Sequence, residues 1–157
     1  QSLEGLKGKR VSLNKGSAYD KWAQTNKEKY GFEVDAYPTN ADAVQALISG
    51  RADAHMSGNT VAAYAVTKAK DKIKLATLKV DDGLVWAMAF RKDDAKLRDA
   101  VEDALECVKK DGTLAKLSEK WFGVTPTADQ AQLKVYPGHG VPDMPGYDPT
   151  PGNAKCP

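Results

Sequence analysis

The sequence predicts an α/β fold with a largely parallel sheet. Short runs rich in β-branched and aromatic residues alternate with helical patterns along the first ninety of the 157 residues. The last of these runs, Leu84–Phe90, is apolar throughout, as is typical of a strand buried on both faces. A chain of this length buries about 70% of its unfolded surface, so one real hydrophobic core is expected.

The first strand and helix are joined by a short turn of small and polar residues. Arg10–Leu13 reads as a strand, Asn14–Ser17 as a Gly/Ser turn, and Ala18–Tyr30 as a helix that ends at Gly31. The first backbone N–H groups of a helix are unpaired and point outward, so such a turn makes a ready anion site. Taken alone, these residues favour the alternative of an ordinary strand-to-helix turn with an N-cap.

The remaining predicted elements of this region follow the same alternation, with polar caps before helices and glycine after them. In order, they are a strand at Phe32–Tyr37, a helix through Ala43–Ile48 capped by Thr39 or Asn40, a strand at Arg51–Met56, a helix at Val61–Ala69 capped by Asn59 or Thr60, and strands at Lys72–Leu78 and Leu84–Phe90.

The final third differs in character. Leu97–Gly123 predicts two amphipathic helices joined at Asp111-Gly112-Thr113. Their apolar positions predict a face larger than a monomer usually exposes, made of Val101, Leu105, Val108, Leu114, Leu117, Trp121 and Phe122. From Thr125 to Pro157 the chain holds seven of its eight prolines and no periodicity, which indicates an irregular tail, either an ordered strap or disordered.

Composition excludes several classes of protein. The net charge of +2 is too small to indicate binding to nucleic acid or to an anionic membrane. No run approaches the 18 apolar residues of a spanning helix, and no signal segment opens the chain, so we expect a soluble chain that begins at a mature terminus or at a cut. The isolated His55 and His139 offer no zinc spacing, and no nucleophile or phosphate motif indicates an enzyme.

Two cysteines indicate the compartment. Cys107 lies in the first amphipathic helix, and Cys156 is the penultimate residue of the tail. A disulfide between them would fasten the tail and would place the protein in an oxidising compartment. The alternative is two unrelated thiols, one buried and one exposed.

An ordered set of phrases resembles a known family. These phrases are LKGKRVSLNKGSAY at Leu6–Tyr19, DAVQALISGRADAHMSGNTVAAYAV at Asp42–Val66, the run at Gly83–Phe90, and the helix pair at Leu97–Gly123. In this order they resemble the extracytoplasmic solute-binding proteins of ABC importers, of the polar amino-acid type. The resemblance implies a type II periplasmic-binding-protein fold.

The resemblance also implies a domain map. Residues 6–80 correspond to the second, ligand-binding lobe, 81–90 to the hinge and return strand, and 91–123 to the closing helices of the first lobe; residues 124–157 form the irregular tail. The hundred or so residues that build most of the first lobe in relatives lie outside this sequence. The chain is therefore expected to be a fragment, one part of a split protein, or a protein that pairs with a second copy.

The ligand-binding residues implied by the resemblance lie in two turns. Asn14, Ser17, Ala18 and Tyr19 match the turn that takes the ligand carboxylate in relatives, and Gly58 and Asn59 match the second contact region. The family's usual acid for an ammonium group falls at Gly58. Ser57 or Asn59 offers only neutral hydrogen bonds at that position. Asp81 and Asp82 are either hinge-turn residues or a source of the missing carboxylate from the hinge.

The expected function is capture of a small polar solute, an amino acid or a small carboxylate, in the periplasm or another extracytoplasmic space. The expected partner is the membrane permease of an ABC importer, with no cofactor, no metal and no catalysis. Three alternatives remain open: a ligand-sensing module of a receptor, a partner protein that binds no solute, and a dehydratase-like enzyme, for which Lys15 is the titratable candidate near the turn.

Overall fold

The chain divides into two compact units. The computed structural model describes residues 2–78, 80, 86–128, 130, 132–152 and 154–156. The first unit is Gln1–Asp81 and the second is Asp82–Pro157. The predicted lobe at 6–80 lies within the first unit, while residues 81–85 of the predicted hinge lie outside the described residues.

A three-stranded parallel sheet forms the centre of the first unit. Its strands are β1 (Arg10–Asn14), β2 (Glu33–Tyr37) and β3 (Ala54–His55), and their order across the sheet is β2-β1-β3. In this register Leu13 lies beside Ala36, and Ser12 lies beside His55. The predicted α/β class with a parallel sheet is confirmed.

Three α-helices connect or follow these strands. They are α1 (Ala18–Tyr30), α2 (Asn40–Ile48) and α3 (Asn59–Lys68), and a short 3-10 helix at Leu3–Leu6 precedes β1. Helix α1 ends at Gly31, whose φ of 68° is a left-handed conformation that glycine adopts without a Cβ clash. Helix α2 begins after Thr39, whose side chain accepts a hydrogen bond from the Asp42 N–H, so one of the two predicted caps is confirmed.

The two faces of β1 are buried by different means. Val11 and Leu13 are 1% and 0% exposed and form one apolar cluster with Ala23 of α1 and Phe32. Ser12 is also fully buried, and its hydroxyl donates to the Ala43 carbonyl of α2 at 2.8 Å. Because successive strand residues face opposite sides, β1 packs an apolar surface on one side and a hydrogen-bonded serine under α2 on the other.

The outer strands predicted from sequence are wrong where they can be checked. Lys72–Leu78 and the described part of the second run, residues 86–90, are not strands, and Leu84 and Val85 lie outside the described residues. The strand predicted at Arg51–Met56 shortens to the two residues of β3. A strand exists only through its hydrogen bonds to a neighbour, and alternation within one segment does not supply that neighbour.

Two helices open the second unit as predicted. Helix α4 (Ala95–Lys110) is followed by α5 (Thr113–Phe122), and Gly112 between them has a φ of 79°. Helix α5 ends at Gly123, which also has a positive φ. Both glycines occupy left-handed positions at which a side chain would be strained, so the predicted joint and stop are confirmed.

The tail is attached to α4 covalently and by polar contacts. Cys107 and Cys156 form a disulfide, as predicted, with Cα atoms 5.2 Å apart. Arg98 pairs with Asp148 at 3.2 Å, and the Lys109 ammonium donates to the Lys134 carbonyl at 3.0 Å. The described tail residues therefore lie along α4 as a strap.

The predicted apolar face of α4 and α5 is exposed in part. Leu117 and Trp121 are 42% and 55% exposed, and Leu97 at the start of α4 is 50% exposed. The other predicted members are half-buried. Among the described residues, no helix combines the length and apolar character needed to cross a membrane.

Candidate ligand-binding site

The two predicted ligand-binding turns leave neighbouring strands at the same edge of the sheet. The Met56 N–H donates to the Ser12 carbonyl at 3.0 Å, so the pairing of β1 with β3 continues to the carboxyl end of β3. From there β1 leads into the turn at 14–17 and α1, and β3 leads into Ser57, Gly58 and α3. In open parallel sheets, ligands bind outside the carboxyl ends of the strands, as this geometry allows.

The turn between β1 and α1 is closed by an acid that sequence analysis missed. Gly16 has a φ of 75°, and its N–H donates to Asp20 Oδ2 at 2.8 Å. The Asp20 N–H in turn donates to the Ser17 hydroxyl at 3.2 Å. The spacing of a serine and an acid three residues later resembles a capping box, and it recurs at Thr39 and Asp42. This spacing is the sequence pattern from which the role of Asp20 could have been predicted.

The Ser17 hydroxyl is engaged within the turn. It donates its proton to the Asn14 carbonyl at 2.7 Å and accepts the N–H of Asp20. The hydroxyl proton of Ser17 is therefore used within the turn and is not available to a ligand. The backbone N–H groups of Ala18 and Tyr19 donate to no described residue, so they are the available donors of this turn.

Asn14 joins the ends of β1 and β2. Its side-chain amide donates to the Pro38 carbonyl at 3.0 Å and approaches the Tyr37 carbonyl at 3.4 Å. The exposed Lys15 beside it donates its backbone N–H to the Tyr37 carbonyl at 2.8 Å. These bonds fix the position from which the turn begins, and the Lys15 side chain remains in solvent.

The second turn differs from the prediction in how α3 begins. The N-cap of α3 is Gly58, which is buried and provides no side-chain hydrogen bond, so the cap predicted at Asn59 or Thr60 is wrong. The chain adopts its first helical residue at Asn59, and the exposed Asn59 side chain accepts the Thr60 N–H at 2.8 Å instead. Just before them, the Ser57 hydroxyl is shielded and has no partner among the described residues.

His55 is a half-buried polar group that sequence analysis did not place near the site. Its Nδ1 lies 3.0 Å from the Ser12 carbonyl and therefore carries the proton that it donates. Burial lowers the pKa of the imidazole, since a charged ring would lose its hydration. Nε2 is then an unprotonated acceptor, shielded and without a described partner. A single histidine in a strand pattern carries no signal that would have revealed this.

Neither of two surface cavities coincides with this edge. One, of about 290 Å³, is lined by residues including Glu4, Lys29 and Tyr30, and the other, of about 280 Å³, by residues including Ile48 and Lys72. Within the described parts of the chain, no group of three acidic, histidine or cysteine side chains is arranged to hold a metal ion. The candidate site is thus an open edge of helix N-termini, and the predicted hinge acids Asp81 and Asp82 lie outside the described residues.

Comparison with known families gives this geometry a context. The sequence profile of the bacterial extracellular solute-binding proteins, family 3, matches residues 12–124. The chain belongs to this family. The match spans both predicted turns and the helices α4 and α5, so the resemblance seen in the ordered phrases is confirmed.

Individual relatives are similar over most of this chain. The probable amino-acid-binding protein YxeM of Bacillus subtilis is 36% identical over 135 residues, which cover 83% of this chain and 50% of the relative. The L-cystine-binding protein TcyJ of Escherichia coli K12 is 35% identical, covering 81% and 47% respectively. This chain spans about half the length of these relatives.

Solved structures agree with the fold. An ancestral arginine-binding protein bound to arginine superposes with a TM-score of 0.62 at 35% identity, over 78% of this chain and 54% of that one. The L-cystine solute receptor of Neisseria gonorrhoeae, in its unliganded open conformation, gives a TM-score of 0.52 at 21% identity and supports the fold alone. The expected type II periplasmic-binding-protein fold is confirmed, with partial coverage.

Proposed function

We propose that this chain supplies the second lobe of a solute-binding protein that captures a small polar solute and delivers it to the permease of an ABC importer. The solute is an amino acid or a small carboxylate. In this proposal residues 6–80 form the ligand-binding lobe, 81–90 the hinge and 91–123 helices of the first lobe. The residues that form the site, by contact or by holding its turns in place, are Asn14, Ser17, Ala18, Tyr19, Gly58 and Asn59.

The free backbone donors of α1 are the observation that carries this proposal. Ala18 and Tyr19 direct two N–H groups without described acceptors to the edge where β1 and β3 end. The positive end of a helix dipole favours an anion at that place. The engaged side chains of Ser17 and Asn14 act as supports in this arrangement, because their hydrogen bonds hold the turn that presents those amides.

An open edge suits capture by closure. A solute bound to one lobe favours the closed form when closing brings it into contact with a second lobe, since the differential contacts shift the equilibrium. The missing contacts come from a first-lobe segment or from a second copy of the chain. The family description and the Cys107–Cys156 disulfide favour an extracytoplasmic, oxidising compartment, and the role is binding without catalysis.

An amide-resolved NMR titration tests this proposal. We expect the amide signals of Ala18 and Tyr19 to shift in the presence of one member of a panel of polar L-amino acids and small carboxylates. Ser17→Ala loosens the turn and should weaken that binding by about 1 kcal/mol. Thr39→Ala is the matched control, because it removes the same kind of cap from α2 outside the predicted site.

The two variants separate binding from stability. Each loses one helix cap and should lower the free energy of unfolding by about 1 kcal/mol. Only Ser17→Ala should also weaken binding. A panel in which no compound shifts the Ala18 and Tyr19 amides would contradict the proposal, and equal loss of affinity in both variants would remove the turn at 14–17 from the site.

A further inference from the structure

We propose that the solute is a small hydroxy acid, a carboxylate whose neighbouring polar group is neutral, rather than a zwitterionic amino acid. This inference rests on the proposed function and names the solute class of the same edge. Its basis is the chemistry of the second turn, at Ser57–Thr60, which offers donors and a hydroxyl but no carboxylate.

The acids in the first turns of α1 and α2 are engaged within those turns. Asp20 accepts the Gly16 N–H through one oxygen and the Gln24 side chain through the other, and it lies in the first turn of α1. Asp42 accepts the Thr39 hydroxyl at 2.7 Å in the first turn of α2. Each carboxylate already offsets the positive end of its own helix, so neither is available at the start of α3.

The arm formed by β3 and α3 has no acid near its ligand edge. Asp53 lies before β3, at the opposite end of that strand, where it accepts the Arg10 N–H at 2.8 Å and pairs with Lys9 at 3.7 Å. The next acid in the sequence is Asp71, which follows the end of α3. An ammonium group placed at this turn would therefore have no anionic partner on the arm, and a charge removed from water without a partner is costly.

The start of α3 presents donors. The N-cap Gly58 has no side chain, the first turn has no acid, and the Thr60 N–H is taken by the Asn59 side chain. The N–H groups of Asn59 and Val61 donate to no described residue. N–H donors at the positive end of a helix attract an oxygen lone pair and repel an ammonium group, which itself has only donors.

The Ser57 hydroxyl is an independent sign that a partner is missing at this turn. Its oxygen has less than 1 Å² accessible and makes no hydrogen bond to a described residue. Buried polar atoms are nearly always paired in folded proteins, so an unpaired hydroxyl directly before the N-cap calls for a polar partner. A solute hydroxyl can pair with the Ser57 hydroxyl as donor or acceptor, and the same solute hydroxyl can accept from the amides of α3. An ammonium group has only donors and would leave those amides unpaired.

Matched pairs of solutes test the inference on the whole chain. L-lactate is compared with L-alanine, and L-malate with L-aspartate, by NMR titration of the amides of Ala18, Tyr19, Asn59 and Val61. Within at least one pair, the hydroxy acid should bind about tenfold more tightly than the amino acid, the ratio expected for one charged group left unpaired. Shifts at both turns are expected, because the solute spans them.

A substitution at Gly58 supplies the missing charge. The φ of −57° at Gly58 is open to any residue, and aspartate is a preferred N-cap. Gly58→Asp should reverse the preference within the pair toward the amino acid, while the isosteric, uncharged Gly58→Asn should not. The wild-type comparison stands by itself if either variant fails to fold.

The outcomes separate the two proposals. Equal or tighter binding of the amino acid by the wild-type chain would overturn the hydroxy-acid inference and leave the solute-binding function intact. Absence of shifts at both turns with every member of the pairs, and with the wider panel of solutes, would overturn the function and this inference with it.

Discussion

Removing the disulfide should release the tail from α4. The Cys107–Cys156 bond closes a loop with a sequence separation of 49 residues. In the chain-entropy treatment, a loop of that size restricts the unfolded chain by about 14 cal/mol/K, or about 4 kcal/mol at 25 °C. The ion pair between Arg98 and Asp148 and the Lys109 contact with the Lys134 carbonyl lie at the surface and contribute about 1 kcal/mol or less each. The covalent bond therefore dominates the attachment.

The assay combines unfolding with hydrogen exchange. In Cys107→Ser with Cys156→Ser, we expect the free energy of unfolding of the second unit to fall by about 4 kcal/mol in urea titrations. The amides of His139 and Asp148, which bond each other's carbonyls at 2.8 and 3.0 Å, should lose protection. Reductant should reproduce both effects in the wild-type chain and change nothing in the double variant. A double variant within about 0.5 kcal/mol of wild type, with these amides still protected, would refute the reasoning.

Two further predictions concern the first unit. Leu13→Ala removes a side chain with no exposed surface and should lower the free energy of unfolding by about 3 kcal/mol in a urea titration. The control Leu75→Ala, at a residue 43% exposed, should lower it by well under half of that amount. Equal losses in the two variants would contradict the assignment of Leu13 to the core. Burial lowers the pKa of His55 in the folded state, so as the pH drops the unfolded chain binds this proton before the folded chain does. The free energy of unfolding should therefore fall below about pH 6.5, by at most about 1.4 kcal/mol per pH unit. His55→Asn keeps the donor to Ser12 and should remove that slope between pH 7.5 and 5; an unchanged slope would assign it to other groups.

Most helices could be read from the sequence because their ends are local. Ser17 and Thr39 accept hydrogen bonds from amides three residues ahead, and Gly31 and Gly123 supply left-handed residues directly after α1 and α5. Each of these signals needs only a few neighbouring residues. The N-cap of α3 was predicted at the wrong residue because Gly58 has no side chain and therefore makes no capping hydrogen bond that a sequence pattern could indicate.

The outer strands could not be read in the same way. Lys72–Leu78 has the alternation of a strand, yet the structure does not assign it to one. Alternation predicts which face of a strand is apolar, but pairing requires another segment at the right place in space. The half-buried Ser57 and His55 are a similar case, since neither residue type predicts burial by itself.

Within the candidate site, sequence and structure contributed different parts. The ordered phrases predict both turns as ligand-binding segments, and the family profile at residues 12–124 spans them. The roles within the first turn came from the coordinates: Ser17 and Asn14 hold the backbone, while the amides of Ala18 and Tyr19 stay free. A side chain's identity shows what it can bond, and only its neighbours show what it does bond.

The sequence by itself predicted the α/β class and most helix ends, because local periodicity and caps carry that information. Its ordered phrases resemble the family and imply where the ligand turns fall along the chain, and a disulfide was one of two alternatives for its cysteines. The tertiary structure decided that the described strands of the first unit form one three-stranded sheet, that both turns follow strands at the same edge, and that Asp20, Asp42 and Asp53 are engaged away from the start of α3. The physical reason is that strand pairing, burial and charge compensation depend on residues far apart in the chain, and folding alone brings those residues together.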